Sequence, residues 1–125
     1  MNSFRLPKKT DQEIDYRNAQ ILKMSKLVTE VPFNTLDKCN LAMDLVLDVL
    51  KIGNKNCISD AAVAGEMAYS SAYGAYYNVL INLIDLKDDK KYCEMINKQS
   101  EKIIKDIDKK IVKIKKIAKK ELYYE

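Results

Sequence analysis

The chain has 125 residues, 47% of them hydrophobic and 32% charged, which suits one domain and excludes both a disordered chain and an integral membrane protein. It contains no histidine, so acid–base chemistry is left to carboxylates, lysines, tyrosines or the substrate, and a His/Cys metal cluster is excluded. The net charge of +4 comes from residues 98–125, where ten lysines are mixed with five acidic residues. That mixture favours a solvated helical face over a nucleic-acid-binding surface.

Cysteine usage and the N-terminus indicate the compartment. Cys39, Cys57 and Cys93 are widely spaced and odd in number, which suits a reducing environment. The first residues, MNSFRLPKK, lack the apolar core of a signal peptide, so we predict a cytoplasmic protein. With only three glycines and two prolines, the chain has few turn signals, and long helices are expected.

The first predicted helix begins at a capping box. Thr10 is followed three residues later by Glu13, the spacing at which two side chains cap each other's backbone. The helix is expected to run to about Thr29. Pro32 is predicted to end it, because proline lacks the backbone N–H that a helix interior needs.

A second helix is predicted to begin near Thr35 or Leu36. Its apolar residues recur at spacings of three and four, as on one face of a helix: Leu36, Cys39, Met43, Val46 and Leu50. Gly53 supplies a left-handed stop. The following loop, GNKNCISD, contains Ser59 and Asp60, either of which can cap the next helix.

The third predicted helix, from Asp60 to about Ile84, is rich in alanine, serine and glycine. Small residues let neighbouring backbones approach closely, so this helix is expected to be central. Its length would also allow a membrane span, but Glu66, Asn78, Asn82 and four tyrosines oppose insertion. No membrane partner is therefore predicted.

The last helix is predicted to start near Asp88 or Asp89, since acidic residues favour a helix N-terminus. One apolar stripe runs along it among the lysines: Ile96, Ile103, Ile107, Ile111, Ile114 and Ala118. No segment shows the two-residue alternation of a strand over a useful length. The sequence thus predicts an all-α fold, an antiparallel bundle of about four helices.

Two amides are the first candidates for a site. Asn78 and Asn82 lie four residues apart among apolar neighbours, so both are expected to be buried on one stripe of the helix. A buried amide without a partner costs about 1–3 kcal/mol. Partners are therefore expected in a core hydrogen-bond network, in an interface or in a ligand.

The GNKNCISD loop and the N-terminal segment are further candidates. The loop places several polar side chains before a helix N-terminus: Asn54, Asn56, Ser59 and Asp60. Free amides there can hold an anion or a polar ligand, although the same residues are typical of turns and caps. Arg5 and Lys8 can hold a carboxylate-rich ligand, or they belong to a solvated segment.

Four segments, in register over about residues 4 to 88, resemble the formiminotetrahydrofolate cyclodeaminase/methenyltetrahydrofolate cyclohydrolase family: FRLPKKTDQEIDYRNAQI, EVPF, GNKNCISDAAVAG and YGAYYNVLINLIDLKD. The family shows an RLPK segment, then acids and an arginine, a VP break, a GN-x-N-x-x-SD loop and a GA-x-x-NV-x-IN helix. The C-terminal Lys/Ile helix is similar only in kind.

The resemblance implies an all-helical, cytoplasmic folate enzyme that works as a dimer, with a tetrahydrofolate derivative as its substrate and no metal. One branch converts 5-formimino-tetrahydrofolate to 5,10-methenyl-tetrahydrofolate and ammonia, and the other interconverts the methenyl and 10-formyl forms with water. Residues 1–125 are expected to be a later part of a larger domain, whose proton-carrying aspartate lies before Met1, so no catalytic residue is assigned. A non-catalytic dimerisation module of the same family is the alternative.

The resemblance also implies a substrate site in a cleft where helices of two subunits meet. Asn78 and Asn82 would anchor the pterin. The loop would line the same cleft with Asn54, Asn56, Ser59 and Asp60. Arg5 and Lys8 would face the anionic glutamate tail.

Overall fold

A computed structural model describes residues 2–123 of the chain, which form three α-helices. Helix α1 spans Asp11–Ile52, α2 spans Ile58–Ile84 and α3 spans Lys90–Leu122. Two short 3-10 helices, Ser3–Arg5 and Lys55–Cys57, precede α1 and α2. The described residues contain no strand, so the all-α prediction is confirmed. The predicted number of about four helices is corrected to three.

The beginning of α1 agrees with the prediction. The Thr10 hydroxyl accepts a hydrogen bond from the Glu13 backbone N–H at 3.2 Å, and the Glu13 carboxylate accepts one from the Thr10 N–H at 3.1 Å. With 42 residues α1 is about 63 Å long, against about 40 Å for the 27 residues of α2. Because Val28 lies beside Asn82, near the end of α2, the first turns of α1 extend beyond α2.

Pro32 lies inside α1, so the prediction that it ends a helix is wrong. A proline in a helix lacks the N–H that would donate to the carbonyl four residues earlier, here that of Val28. The Asn82 side chain donates to this carbonyl instead, with Nδ2 3.2 Å from the oxygen. Since a residue of α2 satisfies the freed carbonyl, α1 continues, and no new helix begins near Thr35.

The second half of α1 carries the predicted core stripe. Leu36 and Met43 are fully buried, Val46 and Leu50 are nearly so, and Cys39 is half-buried. Gly53 ends the helix with a φ of 69°, in the left-handed region that favours glycine. Both the stripe and the stop are confirmed.

Helix α2 begins two residues before the predicted Asp60 and has no side-chain cap. The expectation that Ser59 or Asp60 caps it is wrong, because the 3-10 helix Lys55–Cys57 leads directly into α2 and places both residues inside its first turn. Asn54 caps that 3-10 helix, its Oδ1 accepting a hydrogen bond from the Asn56 backbone N–H at 3.1 Å.

Small residues place α2 against both other helices. A Cβ on Gly65 would lie 3.0 Å from two methyl groups of Ile114 in α3 and 3.4 Å from Val46 in α1, so glycine is what allows this close approach. Ala72 and Ala75 are also buried. These contacts agree with the predicted central position of the helix. Within residues 2–123, no helix is sufficiently long and apolar to span a membrane.

The beginning and the core face of α3 agree with the sequence. Asp89 caps the helix, its Oδ1 accepting a hydrogen bond from the Tyr92 backbone N–H at 3.1 Å. The residues of the predicted apolar stripe are buried or half-buried: Ile96, Ile103, Ile107, Ile111, Ile114 and Ala118.

One charged side chain is buried between α1 and α3. The Lys110 side chain is 10% exposed, and its Nζ lies 2.8 Å from an Asp44 carboxylate oxygen and 3.0 Å from one of Asp106. It also donates a hydrogen bond to the Asn40 side-chain oxygen at 2.8 Å. Burial alone would lower the pKa of Lys110, but the bonds to Asp44 and Asp106 raise it. The bond from Lys110 holds the pKa of Asp106 below its usual range.

We predict that Lys110→Met lowers the free energy of unfolding by about 1–3 kcal/mol at neutral pH, because two half-exposed carboxylates lose their cation. A lowered carboxyl pKa stabilises the fold above the unfolded pKa, and this contribution is lost as the pH falls through the folded pKa. Denaturant titrations should therefore show the difference between wild type and variant shrinking below about pH 4.

Lys109→Met is the matched control, because Lys109 is the exposed neighbour of Lys110 on the same helix. It should change the free energy of unfolding by less than about 0.5 kcal/mol. An equal loss in both variants would contradict the role assigned to the buried ion pairs.

Candidate functional site

A groove runs between α1 and α2 beside the proline. It has a volume of about 680 Å³ and is lined by these residues: Val28, Val31, Pro32, Thr35, Ser71, Gly74, Ala75, Asn78 and Asn82. A Cβ on Gly74 would meet nothing within 4 Å, so the space continues over the backbone of α2. Short side chains on α2 therefore leave the groove open where longer ones would fill it.

A second cavity, of about 350 Å³, lies between α1, the end of α2 and the N-terminal segment. Its apolar lining residues are Phe4, Ile21, Met24 and Val28. The end of α2 contributes Asn82 and Asp85, three residues apart and therefore on the same face of the helix. Asn82 and Val28 line both spaces, so the second cavity adjoins the groove.

Asn82 is half-buried, and the donor group of its side-chain amide already has a partner. Its Nδ2 donates to the Val28 carbonyl, as described for the proline. Among residues 2–123, its Oδ1 accepts no hydrogen bond and is left free for a donor from a ligand. The sequence left a core hydrogen bond, an interface or a ligand as possible partners of this amide. In the structure, a hydrogen bond to α1 satisfies its donor half.

Asn78 is exposed, so the expectation that both amides are buried is wrong. The buried face of this part of α2 is formed by Ala75 and Val79, and Asn78 lies beside it, on the groove. The side chain makes no hydrogen bond within the described part of the chain. It is therefore an unoccupied donor and acceptor at the groove.

The loop residues lie at the opposite end of α2 from the amides. All four are exposed: Asn54, Asn56, Ser59 and Asp60. Eighteen residues of helix separate Asp60 from Asn78, a distance of about 27 Å. A single chain therefore does not bring the loop and the two amides into one cleft.

The N-terminal cations lie before α1, and both are exposed. Arg5 ends the 3-10 helix whose Phe4 lines the second cavity, so it belongs to the Asn82 end of the molecule. Lys8 follows three residues later. Neither side chain forms an ion pair with another residue in the range 2–123. They are free to meet an anionic group near that cavity.

Sequence reasoning missed Asp85. The residue directly follows Ile84, the last residue of α2, which is also where the predicted helix ends. The signal that could have found it is its spacing from Asn82, since residues three apart share a helix face. Its carboxylate adds an acceptor to the second cavity.

The tyrosines of α2 were possible acid–base groups, but three of the four, Tyr69, Tyr73 and Tyr76, are held on the side towards α3, whereas Tyr77 is exposed. The Tyr73 hydroxyl donates to Asp108 of α3 at 2.9 Å, and burial, followed by this bond, raises the pKa of Tyr73. Tyr69 and Tyr76 pack against the same core. None of the three lines the groove or the second cavity. Across residues 2–123, no three Cys, Asp or Glu side chains are grouped so as to hold a metal ion.

Comparisons with known proteins identify relatives of the chain. Residues 1–102 match the model of a family described as Formiminotransferase-cyclodeaminase. The chain is 38% identical over 104 residues to the methenyltetrahydrofolate cyclohydrolase of Methylorubrum extorquens, which covers 83% of the chain and 50% of that relative. It is 34% and 32% identical to the formimidoyltransferase-cyclodeaminases of Gallus gallus and Rattus norvegicus, over 72% and 71% of the chain but 17% and 16% of those relatives. The chain therefore spans half the length of these relatives or less.

We predict that Asn82→Ala lowers the free energy of unfolding by about 0.5–1.5 kcal/mol, because the Val28 carbonyl loses its donor. In a Pro32→Ala background the backbone N–H of residue 32 returns to that carbonyl. The same Asn82→Ala change should then cost almost nothing, and the coupling is measured by denaturant titration of the four variants of the cycle.

Asn78→Ala is the control for this cycle, since Asn78 is an exposed amide without a hydrogen bond four residues away. Its cost should be close to zero in both backgrounds. If Asn82→Ala costs the same with and without Pro32, the side chain does not replace the missing backbone donor.

Proposed function

Because the chain belongs to the formiminotransferase-cyclodeaminase family, we propose that it binds a reduced folate and takes part in a one-carbon reaction at the N5/N10 edge of the pterin. The observation that carries the proposal is the groove beside Asn82, with free amide groups between apolar walls. The groove and the adjoining cavity, of about 680 and 350 Å³, have the size of small-molecule sites.

The polar groups at the groove suit a pterin, a flat heterocycle whose edge carries both donors and acceptors. Asn78 offers an amide that can donate and accept, and Asn82 offers a carbonyl oxygen. The apolar side chains of Val28 and Met24 would cover the ring faces. Arg5 and Lys8 would meet the carboxylates of the glutamate tail.

Two reactions fit such a site, and the names of the relatives include both. In the cyclodeaminase reaction, N10 attacks the formimino carbon, the bond from that carbon to the terminal nitrogen breaks, and the protonated nitrogen leaves as ammonia. In the cyclohydrolase reaction, water adds to the methenyl carbon and the ring opens to the 10-formyl form. Both require a positioned proton carrier. The residues named above bind and orient the substrate, and the carrier is assigned to none of them.

We propose that the chain binds a second copy of itself, which covers the outer stripe of α2. This stripe consists of Val63, Met67, Ser70, Gly74, Tyr77 and Ile81, all exposed. The one charged residue in the range 61–84 is Glu66, which pairs with Lys115 of α3 at 3.4 Å. An uncharged apolar face of this kind suits an apolar partner. It also favours a second candidate function, a dimerisation module without catalysis.

The outer stripe has the symmetry that pairing with itself requires. Positions 63 and 81, 67 and 77, and 70 and 74 are each equidistant from position 72. Two antiparallel copies of α2, related by a two-fold axis near position 72, would set Val63 against Ile81 and Met67 against Tyr77. Ser70 and Gly74 near the axis would permit close approach. Asp60 of one copy would then approach the Asn82 end of the other, and both parts of the predicted site would meet.

We predict that the chain binds tetrahydrofolate and that Asn78→Ala weakens binding about 2- to 10-fold, because one ligand hydrogen bond is lost. Isothermal titration calorimetry measures binding, and the absorbance of the methenyl chromophore measures turnover of the 5-formimino and methenyl forms. The control is Asn34→Ala, an exposed asparagine of α1 outside the groove, which should bind as the wild type does.

Absence of tetrahydrofolate binding would overturn the proposed function. Binding without turnover would favour the non-catalytic module. Asp60→Ala tests the loop separately, and unchanged binding and turnover in that variant would remove the loop from the site.

We predict a homodimer that Met67→Lys converts to a monomer, because a charge in the centre of an apolar contact must be desolvated without a partner. Multi-angle light scattering after size-exclusion chromatography gives the mass. Val112→Lys on α3 is the control, since Val112 is 65% exposed and Met67 66% exposed. A monodisperse wild-type monomer, or dissociation by both changes, would exclude the outer stripe of α2 as the dimer contact.

A further inference from the structure

The second cavity is asymmetric in its chemistry. Phe4, Met24 and Val28 give it apolar walls, and the end of α2 gives it two acceptors, the Asn82 carbonyl oxygen and the Asp85 carboxylate. No lysine or arginine is among its lining residues. The remaining polar lining residues, Asn2, Ser3 and Ser25, belong to the N-terminal segment and α1, so the preference for ligand donors is confined to the end of α2.

The position of Asp85 strengthens this preference for donors. Asp85 is the C-cap of α2, so its carboxylate lies at the negative end of the helix dipole, where a second negative charge is disfavoured. The side chain is exposed, and within residues 2–123 it forms no ion pair and accepts no hydrogen bond. The electrostatic cost of this carboxylate would be relieved by a donor-rich ligand group.

We propose that Asp85 accepts two hydrogen bonds from the aminopyrimidine edge of the pterin, one from the 2-amino group and one from the adjacent ring N–H. The two oxygens of a carboxylate match two parallel N–H donors, as they do in pairs with arginine. This inference rests on the proposed function and adds a specificity-determining residue to it. The free Oδ1 of Asn82, on the same face of α2, extends the row of acceptors.

The assignment also fixes which way the ring lies. In a pterin, the aminopyrimidine edge is on the opposite side of the bicycle from N5 and from the carbon that carries N10. With that edge held at Asp85 in the second cavity, the N5 side is directed towards the adjoining groove and Asn78. The reacting edge of the substrate thereby lies in the open groove, where water or ammonia can enter or leave. Because the glutamate tail extends from the same side of the ring, this orientation directs it along the groove and away from Arg5 and Lys8, and so replaces the tail contact proposed for those two cations.

The test compares Asp85→Asn with wild type by calorimetric titration of tetrahydrofolate. The variant keeps the shape of the side chain but loses the charge and one acceptor, so the Kd should rise about 10- to 100-fold. Asp88→Asn, the same change at an exposed residue in the turn after α2, should leave the Kd unchanged. Thermal unfolding of Asp85→Asn should match wild type, because removing an anion from a helix C-terminus does not weaken the helix.

A second arm uses the ligand. A 2-desamino analogue of tetrahydrofolate should bind wild type more weakly than tetrahydrofolate does, and Asp85→Asn should lose most of this discrimination. Guanosine carries the same aminopyrimidine edge on a purine, so it tests whether the site recognises a pterin or any ligand with this edge. It should bind far more weakly than tetrahydrofolate because it lacks the aminobenzoyl-glutamate part.

The outcomes separate the two levels of the proposal. Tetrahydrofolate binding that is equal in wild type and Asp85→Asn would overturn the role of Asp85 and leave the proposed function standing. Guanosine binding as tightly as tetrahydrofolate would overturn the assignment of the edge to a pterin. Failure of wild type to bind tetrahydrofolate would overturn both the inference and the function on which it rests.

Discussion

The hydrogen bond from the Asn82 side chain to the Val28 carbonyl stabilises the passage of α1 through Pro32 and lies beside the groove. It supplies the donor that Pro32 lacks, so α1 passes through the proline as a single helix. Pro32 and Gly74 line the space next to this bond, and neither carries a long side chain that would fill it. One amide therefore connects the continuity of α1 with a space large enough for a ligand.

The two glycines of α2 show how one helix can serve both the core and the groove. Gly65 and Gly74 are nine residues apart, about two and a half helical turns, and so lie on opposite faces. A Cβ would crowd Ile114 at Gly65 and would meet nothing at Gly74. The first glycine allows close helix packing, and the second leaves backbone open to a ligand or a second copy.

Most features that depend on nearby residues could be predicted from the sequence, the expected cap at Ser59 or Asp60 being the exception, whereas features that depend on distant partners could not. The capping box at Thr10, the stop at Gly53 and the cap at Asp89 are local, and all three are observed. The bond that carries α1 through Pro32 comes from a residue 54 positions from Val28, so no local pattern reveals it. Asn78 was predicted to be buried because its sequence neighbours are apolar, but its burial depends on how α1 crosses α2. The candidate site residues were likewise identified in the sequence by residue type. That the loop residues and the two amides lie at opposite ends of α2 was seen only in the structure.

The structural role of Asn82 supports the proposed role in binding. An amide held by its Nδ2 cannot rotate without losing the bond to Val28, so its Oδ1 points in one fixed direction. A ligand donor that meets a fixed acceptor causes a smaller loss of side-chain entropy than one that must order a free side chain. The requirement created by Pro32 in α1 therefore orients an acceptor on α2, next to the carboxylate of Asp85. Without Pro32, α1 would remain a helix, and the backbone N–H of residue 32 would bond to the Val28 carbonyl and leave the Asn82 side chain free to rotate. The proline in α1 therefore contributes to the selectivity of the cavity by fixing the direction of this acceptor.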